Sequence, residues 1–344
     1  MKRNRRLAAV FVVLGVAVVA LTALTGLAVA SSKKASLSGA GSSFVAPLVA
    51  LWTKNYSAAD ISYAAIGSGA GIKAIQGRTV DFGASDAPMT PDQFAGCNGC
   101  VQIPWAFAAT SIPYNISGVG YGLNLTGPIL ADIYLGKVTK WNDKRIRAIN
   151  KGKSLPNEDI VPIWRSDGSG TSYNFTDYLS KVSKTFRSQI GKGTQPAFKV
   201  GVGAKGSSGV AAKLGSTPGG ITYVDVAYAY KNHYKIAKLK NRAGKFILPS
   251  VKSLTAVSKG VKKVTRKDNA ISVVDPPRSQ KGAYPICTFT WVIVPLQTAK
   301  AADLKAFVNW ALTKGQSYGH PLLFLPLPKA VKAAGKKTIA RVHS

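Results

Sequence analysis

The sequence predicts an α/β fold, and three observations carry that prediction. Strand-like and helix-like segments alternate along most of the 344 residues. The apolar fraction of 46% is that of a globular chain rather than a disordered one. The 34 glycines and 18 prolines supply enough turn-formers to punctuate many short elements. The length leaves room for two domains.

MKRNRR, at the N-terminus, is a basic segment, and residues 7–30 carry no charge. Ala28-Val29-Ala30 before Ser31 is a small-residue cleavage site, so residues 1–30 read as an export signal. The same uncharged stretch is long enough to span a bilayer if it is retained as an anchor. Either way the protein is exported, to the periplasm or cell envelope. Residues 31–35 form a polar linker.

ASLSGAG then leads into the helical FVAPLVALWTKNY, ISYAAIG into the helical GIKAIQGR, and TVDFGASD reads as a strand and turn. VQIPWAFAATSIPYNI is an extended apolar run. GPILADIYLG predicts a helix ending near Gly136, and IVPIWRSD a strand. Phe175, Tyr178, Leu179, Val182 and Phe186 recur at helical spacing, so a helix begins near Ser169–Thr171. GSSGVAAKLG is a further Gly/Ser-initiated helix, GGITYVDVAYAY a strand running into a helix, and TFTWVIVPL an apolar strand. AADLKAFVNWALT is amphipathic, with Leu304, Phe307, Val308 and Leu312 on one face.

The 46 basic residues against 14 acidic ones give a net charge of +32, which loss of the four basic residues before Leu7 lowers to +28. Glu158 is the sole glutamate, and Lys231–Lys267 holds twelve Lys or Arg and no carboxylate. The basic residues are spread along the whole chain, with no arginine-rich arm or nucleic-acid motif, so nucleic acid is not an expected partner. A cationic exterior still draws small anions towards a cleft. An acidic external milieu is one explanation for the charge.

Cys97 and Cys100 flank an Asn-Gly pair, and in an exported chain this reads as a local disulfide. A redox motif of the thioredoxin kind needs a following helix, and here a strand-like run follows. Cys287, in an apolar run, reads as a buried thiol. The three histidines are scattered, so neither a metal nor another cofactor is expected.

Three segments place Gly, Ser and Thr at the expected start of a helix: residues 39–44, 66–71 and 167–172. Free N–H groups and partial positive charge at helix N-termini bind anions. Arg165 adds a guanidinium able to grip an oxyanion, and Asp167 is its natural orienting partner. Asp86, just after a strand end, repels an anion unless the ligand has a proton to donate. Phosphate keeps such a proton near neutral pH and sulfate does not, so a buried Asp86 selects phosphate.

GAGSSFVAPLVALW, IGSGAGIKAI, VDFGASDAPM, DIYLGKVTKWND, RSDGSGTSYNFTDYL and GGITYVDVAYAY, in this order and over most of the mature chain, resemble the phosphate-binding proteins of bacterial phosphate ABC transporters. The resemblance implies a two-domain, type II periplasmic-binding-protein fold, with crossing hinge strands and a ligand cleft between the domains. Residues 36–115 plus 285–344 then form domain I and 116–284 domain II. VQIPWAFAATSIPYNI and YPICTFTWVIV become the crossing strands. By motif, the implied phosphate ligands are Ser43, Phe44 (through its N–H), Ser68, Asp86, Arg165, Ser169, Gly170 and Thr171, with Asp167 holding Arg165. Family members often have Thr at Ser43 and Ser-Gly-Gly at Gly69-Ala70-Gly71, differences that keep the hydroxyl and the small loop. The implied partners are inorganic phosphate and membrane permease subunits, for a monomeric receptor that is not an enzyme. Arsenate or sulfate is the alternative ligand within that class. A phosphatase using Ser169 or Ser43 lacks a nearby histidine, carboxylate pair or metal cluster. A polyanion-binding envelope protein using residues 231–267 is the remaining class.

Overall fold

The computed structural model describes residues 34–344; the expected signal or anchor and residues 31–33 lie outside it. The first elements alternate as the sequence pattern dictates: β1 (Ala35–Gly41), α1 (Ala46–Asn55), β2 (Ala59–Ala64), α2 (Ser68–Gln76), β3 (Phe82–Ser85), α3 (Pro91–Gly96) and the long β4 (Cys100–Ser111). The chain continues through β5 (Pro113–Asn115), β6 (Asn124–Leu125), α4 (Gly127–Tyr134), α5 (Lys144–Ala148), β7 (Val161–Arg165), α6 (Gly170–Val182), α7 (Lys184–Gln189), β8 (Val202–Ala204) and α8 (Gly206–Gly215). Short elements follow: β9 (Gly220–Ile221), β10 (Val224–Asp225), α9 (Val226–Lys231), β11 (Lys235–Ile236), β12 (Lys238–Lys240), β13 (Phe246–Ile247) and α10 (Val251–Ser258). Last come β14 (Cys287–Pro295), α11 (Ala301–Ala311) and α12 (Lys329–Ile339).

Two main sheets organise these elements. The six-stranded sheet runs β10-β4-β14-β3-β1-β2 and the five-stranded sheet β11-β5-β9-β7-β8. β1, β2 and β3 are mutually parallel, as are β7, β8 and β9, so helices must return the chain between them. Only Ile112 separates β4 in one sheet from β5 in the other, so a single apolar run feeds both. β14 lies antiparallel along β4, from Cys287 opposite Ala109 to Pro295 opposite Cys100. β9 and β10 make a second link between the sheets, two residues apart, which the sequence pattern does not single out.

Pro104 interrupts a central strand, where a missing N–H would cost a ladder bond. The β4–β14 register shifts between Thr290 and Trp291 at that point, and Trp105 becomes the extra residue. Trp105 is fully buried against Trp52, with ring centroids 5.0 Å apart. Leu304, Phe307, Val308 and Leu312 close the same core, as their spacing predicts. One expectation needs correcting. Phe186 does not continue the helix of Phe175 and Tyr178, because Ser183 is extended (φ −138°, ψ 115°) and its hydroxyl caps α7, on which Phe186 lies.

The sulfurs of Cys97 and Cys100 are bonded across a turn whose central residues, Asn98 (φ 45°) and Gly99 (φ 87°), are both left-handed. Cys287 is a buried free thiol, pushed up by burial. Ten of the twelve basic residues between Lys231 and Lys267 are exposed. No helix among the described residues is long and apolar enough to cross a membrane.

Candidate functional site

Asp86 is the residue around which the site is built. It follows the C-terminal end of β3, between the loop after β1 and the start of α2, because β1, β2 and β3 are parallel neighbours whose C-terminal ends lie together. The Ser42 hydroxyl donates to Oδ1 of Asp86 at 2.5 Å and the Ser68 hydroxyl to Oδ2 at 3.3 Å. Burial pushes Asp86 up to about 7, against the opposing pull of the Ser42 bond, the Arg165 charge and the Ser68 bond.

The five-stranded sheet supplies the facing half. Arg165 ends β7, buried, and its Nε and Nη2 donate to the two oxygens of Asp167 at 2.7 and 2.5 Å. Burial alone would raise Asp167, but the Arg165 bond and charge and the Gly206 N–H outweigh it, so its carboxyl lies below the ordinary range. The Arg165 N–H donates to the Tyr223 hydroxyl at 3.1 Å, and that hydroxyl shares a 2.8 Å bond with Ser172 in the first turn of α6. Ser169 caps α6, accepting from the Ser172 N–H at 3.1 Å. Thr171, in the same turn, is 1% exposed and its Oγ1 has no hydrogen-bond partner among the described residues.

Contacts between the two halves are direct. The Gly170 N–H donates to Ser68 Oγ at 3.1 Å, and the Gly69 N–H to the Gly168 carbonyl at 2.8 Å. Asn174 donates to the Asp86 carbonyl at 2.8 Å and to that of Gly170 at 2.9 Å. Gly170 is required by this approach: a Cβ there would stand 2.6 Å from the Cβ of Asp86. Gly67 (φ +94°) is required twice, by its backbone and because a Cβ would collide with the Asp167 carboxylate.

Ser68, Asp86, Arg165, Asp167, Ser169, Gly170 and Thr171 are therefore brought together, and Ser43 and Phe44 lie beside them in the loop after β1. The Phe44 N–H donates to Ser42 Oγ at 3.1 Å, and the Ser43 hydroxyl lies 2.9 Å from that of Ser207. Neighbours not picked out include Ser42, Ser172, Asn174, Ser207, Tyr223 and Asp225. Ser42 adjoins Ser43 in the same motif, and Ser207 opens a helix already read as Gly/Ser-initiated. Tyr223 and Asp225 lie in GGITYVDVAYAY, which reads as a strand running into a helix. Asp225 is fully buried, and its Oδ1 caps α9 while Oδ2 has no partner among the described residues. Burial holds it well above the ordinary carboxylate range, and the Asp86 charge pushes the same way. No cluster of His, Cys, Asp and Glu suited to a metal forms among the described residues.

Fold and site together define a class: an α/β binding protein whose donors meet from two sheets. The family model of the PBP superfamily domain matches residues 28–314. The phosphate-binding protein PstS of Xylella fastidiosa is 40% identical over 304 residues, covering 86% of this chain and 83% of its own. That of Pasteurella multocida is 35% identical over 305 residues, covering 86% and 87%. This chain belongs to that family, the PstS phosphate-binding proteins of the PBP superfamily. Solved structures share the fold at 21% identity. A high-affinity periplasmic phosphate-binding protein bound with phosphate superposes with a TM-score of 0.69, over 88% of this chain and 93% of that one. A phosphate-binding protein from Stenotrophomonas maltophilia does so at 0.68, with the same coverage.

Proposed function

We propose that this protein is an extracytoplasmic, non-enzymatic receptor that captures inorganic phosphate and delivers it to the permease subunits of an ABC transporter. The observation that carries this reading is the buried carboxyl of Asp86, held by the Ser42 and Ser68 hydroxyls and facing the Arg165 charge from the other sheet. A dehydrated anion must regain a partner for every oxygen, because unpaired buried charge is very costly. Arg165 supplies charge, and Ser43, Ser68, Ser169 and Thr171 supply hydroxyls. Phe44 and Gly170 supply N–H groups at or near helix starts. Asp86 accepts the ligand's proton and so disfavours sulfate, while arsenate shares the geometry and the proton of phosphate. The unpartnered Thr171 hydroxyl is a donor already desolvated for such a ligand.

In this reading the chain forms two lobes, residues 36–115 with 285–344 and residues 116–284, which open and close about the strands joining the sheets. The receptor acts as a monomer, exported by residues 1–30 and either cleaved or tethered there. The test is calorimetric titration of residues 31–344, freed of phosphate, with phosphate and then with excess sulfate. Tight one-to-one phosphate binding that sulfate does not disturb is expected. Absence of phosphate binding would overturn the reading.

A further inference from the structure

Ser43 lies in the loop after β1 of the six-stranded sheet, and Ser207 in the first turn of α8, which follows β8 of the five-stranded sheet. Both are buried, at 3% and 0% exposed. The Ser207 N–H donates to Ser43 Oγ at 3.0 Å, and the two hydroxyls are 2.9 Å apart. α8 has no side-chain cap of its own, since Lys205 at the capping position makes no such bond. Its first N–H groups must find partners elsewhere. One of them, on Gly206, donates to Asp167 Oδ1 at 3.0 Å, the same oxygen that receives Arg165 Nε.

One turn of helix thus touches Ser43 on the opposite sheet and the carboxylate that aims Arg165. We propose that Ser207 is a closure residue: the first turn of α8 grips Ser43 across the cleft and sets how long the bound anion is held. The inference rests on the receptor reading, and deepens it by naming a positioning residue outside the ligand set. Opening returns both hydroxyls and the N–H to water, which compensates most of their bond energy, so the grip is reversible. Apparent affinity scales with the fraction of molecules in the closed form, so loss of the grip acts mainly on release.

Ser207→Ala in the full mature chain should speed phosphate release about five- to tenfold. The association rate should stay within about twofold, because encounter precedes closure. An unchanged release rate in Ser207→Ala, with wild-type protein binding phosphate normally, would overturn the closure role alone. Wild-type protein that binds no phosphate would instead overturn the receptor reading and the closure role with it.

Discussion

The Ser42 hydroxyl donates to Oδ1 of Asp86 at 2.5 Å, and through this bond the loop after β1 fixes the carboxyl that follows β3. A carboxyl held this way cannot turn aside from an anion that has no proton to offer. Ionised Asp86 can only accept, and Asp86→Asn replaces it with an amide that can also donate. Wild-type protein should prefer phosphate to sulfate by about 10³-fold or more, and the variant by about tenfold. Competition titration measures the ratio, and unchanged discrimination in the variant would remove Asp86 from that role.

Asp86 also makes stability depend on pH. Its folded value, about 7, lies above the ordinary 3.8, so the native state holds a proton that the unfolded state releases. Its contribution is favourable at and below the ordinary carboxylate range and is lost as pH rises from there to about 7. The loss is about 4 kcal/mol. Asp225 is raised too and acts in the same direction, whereas Asp81, Asp143, Asp167 and Asp268 are lowered and withdraw stability at more acidic pH. Phosphate-free protein should therefore melt highest in mildly acid solution, and Asp86→Asn should flatten the fall towards neutrality. Calorimetric scans from pH 4 to 8 test this; a maximum at alkaline pH would also speak against an acidic milieu as the reason for the charge.

Arg165, buried, and Asp167, half-buried, form a pair in which either partner alone is unbalanced. Arg165→Ala removes the cation from the site and strands a carboxylate beside it. Phosphate affinity should fall by at least about 10³-fold, and stability by about 3–5 kcal/mol. Asp167→Asn keeps the guanidinium but loosens its aim, so its affinity should fall between wild type and Arg165→Ala. Titration together with thermal melts separates the two effects.

Tyr223 acts on the site through two neighbours. Its ring stacks on Phe175 with centroids 4.2 Å apart, and its hydroxyl touches the Arg165 N–H and the Ser172 hydroxyl. Tyr223→Phe keeps the stack and leaves both groups short of a partner. We expect a stability loss of about 1–2 kcal/mol and a several-fold weaker phosphate affinity, with selectivity over sulfate unchanged. A shift in selectivity would mean that Tyr223 meets the ligand itself.

Much of the fold is legible before any coordinate is seen, because hydrophobic period and turn chemistry are local. Leu304, Phe307, Val308 and Leu312 form one buried face from their spacing alone, and Ser169 caps α6 where the Gly/Ser cluster meets the apolar pattern. Phe186 marks the limit of that logic. Its spacing from Val182 suits one helix, yet the backbone breaks at Ser183, whose hydroxyl serves the next helix better.

Sequence by itself determined the α/β alternation and the helix starts rich in glycine and hydroxyls. It also determined the pairing of Arg165 with Asp167, two residues apart, since each of these depends on near neighbours in the chain. Only the tertiary structure decided that Ser43 meets Ser207, 164 residues away. It alone decided that Tyr223 supports Arg165 and that Asp86 and Asp225 are buried within reach of one another's charge. Those relations arise where parallel strands bring their C-terminal ends together and where the chain passes from sheet to sheet, between β4 and β5 and between β9 and β10. Desolvation, and with it the raised carboxyls, exists only once those ends are packed.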